Sequence, residues 1–332
     1  MARPPQGNSM KPFNLFPYGS NIHFMRLRWV SLAVAALLMF VSIGTMVFNT
    51  FRDGHFNGAG TFNYALDFTG GTVTELHFAK PAEVDQMRER LEAAGFHGAQ
   101  VQNFGSSNDV LVRLQTAPGK AARTADDVLN AVSTPDNPAK VTKSDFVGPQ
   151  VGKELALNGF YAMLFVMIGF LIYISFRFEL KFALAAIIAT LHDVSIVCGW
   201  FAISGHEFNL NVLAGVLAVM GFSINDTIVV FDRVRENFRG MRATPEEVMN
   251  ASVNQTLSRT IITSFVAFLS MLALYLFGGE SLRGLAEAQI IGVLIGTLSS
   301  IFVACPLLLW MNVTKQDLMP KARDDAALAR RP

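Results

Sequence analysis

The sequence predicts an α-helical polytopic membrane protein with six transmembrane helices and a small α+β domain between the first two. Three observations predict it. Hydrophobic residues make up 51% of the 332, and six apolar runs are long enough to cross a hydrocarbon core of roughly 30 Å at ~1.5 Å per residue. One long hydrophilic segment holds 22 of the 53 charged residues, so it lies outside the bilayer.

The first run, 29–48, has no charge. Arg26 and Arg28 precede it as in a signal peptide, but it ends MVFNTFRDG with no small-x-small site, so we read a retained anchor. The other runs are 155–176, 182–203, 211–231, 259–278 and 286–311. Orientation follows the basic residues. The tails and the second-to-third and fourth-to-fifth connections, Arg259 included, carry sixteen Lys and Arg, whereas the opposite loops SGHEFN and GGESLRG carry only Arg283. Both termini and the 232–258 loop are therefore expected in the cytoplasm, and the 49–154 domain outside. The tails 1–28 and 312–332 are expected to be disordered beyond the spans.

Within 49–154 the pattern predicts strands at Phe62–Leu66 and Thr72–Phe78, a helix at Ala82–Ala94 opened by Pro81, and strands at Ala99–Phe104 and Val110–Gln115. A helix at Thr124–Ser133, capped by Thr124 with Asp127, and a strand at Lys140–Phe146 complete it. That order suggests a ferredoxin-like split βαβ domain.

Composition also excludes classes. A net charge of +1 gives no nucleic-acid signature. Cys198 and Cys305 sit alone in apolar runs, which excludes a disulfide framework, and no His/Cys cluster has metal spacing. GPQVGKE lacks the glycine spacing and the Ser or Thr of a phosphate loop, and no G-x-S-x-G elbow is present. Neither an enzyme nor a cofactor is expected.

The informative residues are the polar ones inside the spans. Asp226 falls about five residues, or roughly 7 Å, from the inner end of the fourth span. An intramembrane acid is costly and faces a protein interior or wet cavity; its bland role would be a hydrogen bond to Ser223. His192 and Asp193 lie near the middle of the third span, with Thr190 placed to satisfy part of Asp193. Proton handling and helix pairing both remain open for them. Arg259 is either a snorkelling anchor or, if PEEVMNASV extends the fifth helix inward, a cation at the depth of Asp226. Such a pair would be a proton switch. Ala214, Ala218, Gly221 and Asn225 form a small-residue stripe on the fourth span, and Gly284, Gly292 and Gly296 mark the sixth, as in ordinary helix packing.

LDFTGGT (66–72), VGPQVGKEL (147–155), LHDV (191–194), GFSINDTIVVFDRVREN (221–237), NQTLSRTIITS (254–264) and GTLSSIFVACPLLL (296–309) together resemble the SecD/SecF family of bacterial preprotein translocase subunits over about residues 20–312. The resemblance implies an inner-membrane subunit that pairs with SecD into a twelve-helix unit related to the resistance-nodulation-division transporters. It implies use of the proton gradient to help preproteins leave the SecYEG channel after SecA has driven them in. By motif, Asp226 would bind the proton, Arg259 would be its cationic partner, and Asn225, His192 and Asp193 would be neighbours in the relay. Leu66 departs from the family's Ile. Glu287 and Gln289 also depart, and they leave open either an outer-interface change or a proton entry path. The alternative is a half-size proton-coupled exporter of small molecules.

Overall fold

The computed structural model describes residues 21–52, 60–96, 99–114 and 121–314; most of both expected tails lies outside the described residues. A 3-10 turn at Phe24–Leu27 leads into α1 (Arg28–Phe51). Next come the two-residue strand β1 (Asn63–Tyr64), the short turn α2 (Leu66–Thr69), β2 (Gly71–Phe78), α3 (Val84–Ala93), β3 (Gln100–Phe104), β4 (Ser106–Leu114), α4 (Ala121–Val132) and β5 (Ala139–Val147). The chain then enters α5 (Pro149–Arg177), α6 (Leu180–Ser204), the two-residue strand β6 (Glu207–Phe208), α7 (Leu210–Gly240) and α8 (Pro245–Phe277). The last helix, α9 (Glu280–Ser299), continues through a π turn at Ser300–Ala304 into α10 (Cys305–Trp310). Among the described residues, six helices are thus long and apolar enough to cross a membrane.

Local chemistry sets the helix ends. Pro149 and Pro245 open α5 and α8 at a position whose N–H has no helical partner. Thr244 and Glu247 close a capping box on α8, and Gly205 ends α6 with φ 69°. Pro306 has no N–H to give the carbonyl one turn back, and the wider π turn just before it absorbs that lost bond.

Strands β2–β5 form one antiparallel sheet in the order β3-β4-β2-β5. The alternate residues Thr72, Thr74, Leu76 and Phe78 of β2 are buried. Leu76 and Phe78 join Val110 and Val112 of β4, Met87 and Leu91 of α3, and Val128 and Val132 of α4 in a separate core.

The bundle has an inner and an outer ring. In α6, α7 and the α9–α10 span, 56–61% of the apolar window is buried, against 6–11% in α1, α5 and α8, so residues on the inner three are the ones shielded within this chain. Helices α7 and α9 touch closely because side chains are missing where they meet. A Cβ on Gly292 would collide with Val219, and one on Gly215 would sit 2.9 Å from that of Ala288. Similarly, a Cβ on Gly199 of α6 would collide with Ser42 of α1.

Several expectations are corrected. Phe62–Leu66 does not join the domain sheet. Only Asn63 and Tyr64 are extended, and they pair in parallel with Glu207 and Phe208 of the α6–α7 connection. Thr124 lies inside α4, not at its cap. The 232–258 loop shrinks to residues 241–244, since α7 and α8 both run on as amphipathic helices beyond their apolar parts. The stripe Ala214, Ala218, Asn225 is exposed, and a Cβ on Gly221 meets nothing within 4 Å. The packed face of α7 is the neighbouring one, Val212, Gly215, Val219 and Ser223.

Candidate functional site

Two carboxylates lie inside the bundle, on adjacent inner helices. Asp193 of α6 is fully buried and firmly held: Ser223 Oγ of α7 and Ser299 Oγ of α9 each donate to Oδ2 at 2.6 Å, and His192 Nδ1 is 2.9 Å from Oδ1. One carboxylate therefore ties all three inner helices, at the level where the π turn begins. A Cβ on Gly296 would meet Oδ2 at 3.7 Å, an ordinary contact, so α9 passes close to the group at this point. His192 is buried beside Asp193, and its Nε2 has no partner among the described residues. Its ring borders an apolar cavity of about 270 Å³ between α1 and α9.

Asp226 of α7 is buried to the same degree but poorly held. Among the described residues its one hydrogen bond is from Ser264 Oγ of α8 at 3.4 Å, and that hydroxyl also donates to Thr260 O at 2.7 Å. A hydroxyl has one proton, so the shorter bond takes most of it. Thr297 of α9 joins the chain at 2.7 Å from Ser264 Oγ. Next to this site the hydroxyls of Thr227 and Thr260 are buried without partners among the described residues. Asp226 thus has lone-pair capacity to spare, the condition for taking up and releasing a proton with little rearrangement.

Arg259 is not a contact of Asp226. Its side chain is exposed and forms no ion pair with Asp226 within 4 Å, although its charge acts on the carboxylate at longer range. Asn225 precedes Asp226 but points outward, as a helical step of about 100° requires. Thr190 Oγ1 donates to Ala186 O one turn back on α6, and Ser223 serves Asp193, not Asp226. Sequence reasoning missed Ser223 and Ser299 as ligands of Asp193 and Ser264 as the donor to Asp226. Their small hydroxyls carry no periodic signal, and only the helix packing shows which carboxylate each one meets.

At the domain end of the bundle, Glu287 accepts from Trp200 Nε1 at 2.8 Å and lies 2.7 Å from His206 Nδ1. It ties α9 to the end of α6 and the turn after it. Twelve residues, about 18 Å of helix, separate it from Ser299.

Comparison with known proteins adds a lineage to this geometry. The pattern of the family described as "Protein export membrane protein SecD/SecF, C-terminal" matches residues 127–314, and the SecD/SecF GG motif matches 60–82. A protein translocase subunit SecF of Pseudomonas aeruginosa is 44% identical over 307 residues, covering 92% of this chain and 96% of the relative. The chain belongs to the SecD/SecF family. One from Escherichia coli O157:H7 is 41% identical, over 89% of this chain and 90% of the relative. Among solved structures, SecDF of Thermus thermophilus, a translocon-associated membrane protein, superposes with a TM-score of 0.77 at 36% identity. The match covers 89% of this chain and 39% of that longer one. Six apolar helices in a family of protein-export membrane proteins make this an inner-membrane protein of export, not a classical enzyme.

In space, the family's motifs gather at two places. The segments holding Asp193, Asp226, Ser264 and Ser299 meet inside the bundle. LDFTGGT and VGPQVGKEL meet at the domain end, where a Cβ on Gly152 would lie 2.8 Å from Phe68 O.

Proposed function

We propose that this chain is a proton-motive-force-dependent accessory subunit of the Sec export machinery. It acts with SecD to complete preprotein translocation through SecYEG after SecA has inserted the chain. The observation that carries the proton part is the contrast between the carboxylates: Asp193 has three close partners, and Asp226, also buried, has one weak donor among the described residues. A proton crossing ~100 mV releases about 2.3 kcal/mol, and only a group that binds and releases it can couple that energy to movement. Asp226 is that group. Arg259 modulates it from the exposed face of α8, Asn225 precedes it on α7 with its side chain turned outward, and His192 and Asp193 lie on the adjacent helix α6. A chain with its termini in the cytoplasm then puts the α+β domain in the periplasm, as the basic-residue count supports. The order β3-β4-β2-β5 with two crossing helices supports a ferredoxin-like domain. The exposed stripe Ala214, Ala218, Asn225 supports a helical partner on that side of α7, the place SecD would take.

The test is Asp226→Asn, which is nearly isosteric and keeps hydrogen-bonding ability. The complex should assemble normally and lose gradient-driven release of a preprotein already committed to the channel. Undiminished gradient dependence in an assembled Asp226→Asn complex returns the residue to a structural role.

A further inference from the structure

The bundle and the α+β domain are joined at more than their covalent connections, and the joint centres on one carboxylate. Asp67, in the short turn α2, accepts from the backbone N–H of Leu210 at 3.0 Å. Leu210 is the first residue of α7, so Asp67 satisfies an otherwise orphaned amide and sets a negative charge at the positive end of that helix. Asn209 caps the Val212 amide at 2.9 Å, which leaves the Leu210 amide to Asp67. Four residues after Asp67, Gly71 begins β2, which lies inside the domain sheet between β4 and β5. The turn between them needs glycine, with φ of 68° at Gly70 and 124° at Gly71.

Independent ties surround this point. Asn63 and Tyr64 pair with Glu207 and Phe208, Ala65 N donates to Phe208 O at 2.9 Å, and Asn63 Nδ2 donates to Gly205 O at 3.0 Å. Arg113 of β4, largely buried, forms an ion pair with Glu207. Phe62 and Phe208 stack at 4.6 Å, and the Gly152 contact presses α5 against the same turn.

We propose that Asp67 is a positioning residue that fixes the α+β domain onto the outer end of α7, making the LDFTGG turn the joint through which α7 moves the domain. Helix α7 also carries Asp226, sixteen residues or about 24 Å along the same rigid rod. A shift of α7 at the carboxylate therefore reaches β2 through this hydrogen-bonded turn. Asp67 does no proton chemistry; it transmits. The joint is a property of the geometry alone, and its use in export rests on the proton role given above to Asp226.

The experiment is pulsed electron-spin distance measurement in the full chain in lipid nanodiscs. Spin labels go on Gln102→Cys in the domain and Ser281→Cys at the start of α9, both exposed, in a Cys198→Ala, Cys305→Ala background. The unmodified joint should give one narrow distance distribution. Asp67→Ala should broaden it about two-fold, as expected when a local tie is lost, and Asp67→Asn should restore it because the amide oxygen still accepts from Leu210. Should Asp67→Ala not accumulate as folded chain, Asp67→Leu, which keeps the volume and removes the acceptor of the Leu210 amide, should give the same broadening. A distribution as narrow as the parent's in the variant that folds overturns the proposal. Adding Asp226→Asn separates the two readings. If it shifts the mean distance in the parent and not in Asp67→Ala, joint and proton site are coupled. If it shifts nothing in the parent while Asp67→Ala still broadens, the joint stands and its coupling to Asp226 falls.

Discussion

Asp193 and Asp226 occupy neighbouring inner helices at the same burial, yet one is tied to three partners and the other to one distant hydroxyl. A carboxylate that accepts from α7 and α9 while sitting on α6 cannot change state without releasing both helices. It behaves as a structural knot. A carboxylate facing a chain of shared hydroxyls can gain or lose a proton at small cost to its neighbours. In the proposed assignment, depth in the membrane does not separate a structural acid from a proton-binding one. The count and strength of its donors does.

The largest test of this comparison is Asp193→Ala. Removing the knot leaves two buried hydroxyls and an imidazole nitrogen without their shared acceptor, a loss of about 3 kcal/mol or more. We expect little folded subunit by detergent-resistant assembly and protease resistance, in contrast to Asp226→Asn. Equal stability of the two variants would erase the distinction. Next in size is Gly292→Leu, which drives a side chain into Val219 and parts α7 from α9 about one turn to the domain side of the Asp193 site. Overpacking of this kind costs about 1–3 kcal/mol and should lower the thermal midpoint of the purified chain. An unchanged midpoint would show that the two helices are free to separate there.

Ser264→Ala is gentler. It removes the one hydrogen bond to Asp226, and at 3.4 Å that bond lies near the low end of the ~0.5–1.5 kcal/mol usual for such contacts. Assembly should be unchanged while the pH profile of gradient-driven export moves. A profile that stays in place would mean that another group titrates in the rate-limiting step. The smallest effect lies in the α+β domain. Hydrogen bonds from Ser106 and then His77 hold the exposed Asp109 carboxyl below its ordinary value. A depressed carboxylate stabilises the fold above its unfolded pKa and loses that contribution as pH falls through the folded one, here below about 4. Melting of the full chain at neutral and strongly acidic pH should therefore differ slightly less in Asp109→Asn than in the parent. An identical difference would show that this hydrogen-bonded corner adds nothing to stability.

Much of this was legible in the sequence. Apolar runs of bilayer length are a one-dimensional property, so the six spans needed no tertiary information. The sheet and helices of the domain followed from alternation and turn residues, and the family from ordered motifs. Asp226, Asp193 and His192 stood out because ionisable residues are rare in apolar runs, and that too is local. Three-dimensional packing decided which serine faces which acid, that Arg259 stands off from Asp226, and that α7 meets α9 through Gly215 and Gly292 and leaves Ala214 and Ala218 uncovered. It also drew Asn63 and Tyr64 out of their expected sheet to pair with the α6–α7 turn, and placed Asp67 on the first amide of α7. Each of these joins residues between 30 and more than 140 positions apart. Periodicity along a chain reports which face of an element is apolar, but the partner of a hydrogen bond is set by how the elements rotate against one another, and only the folded bundle fixes that rotation.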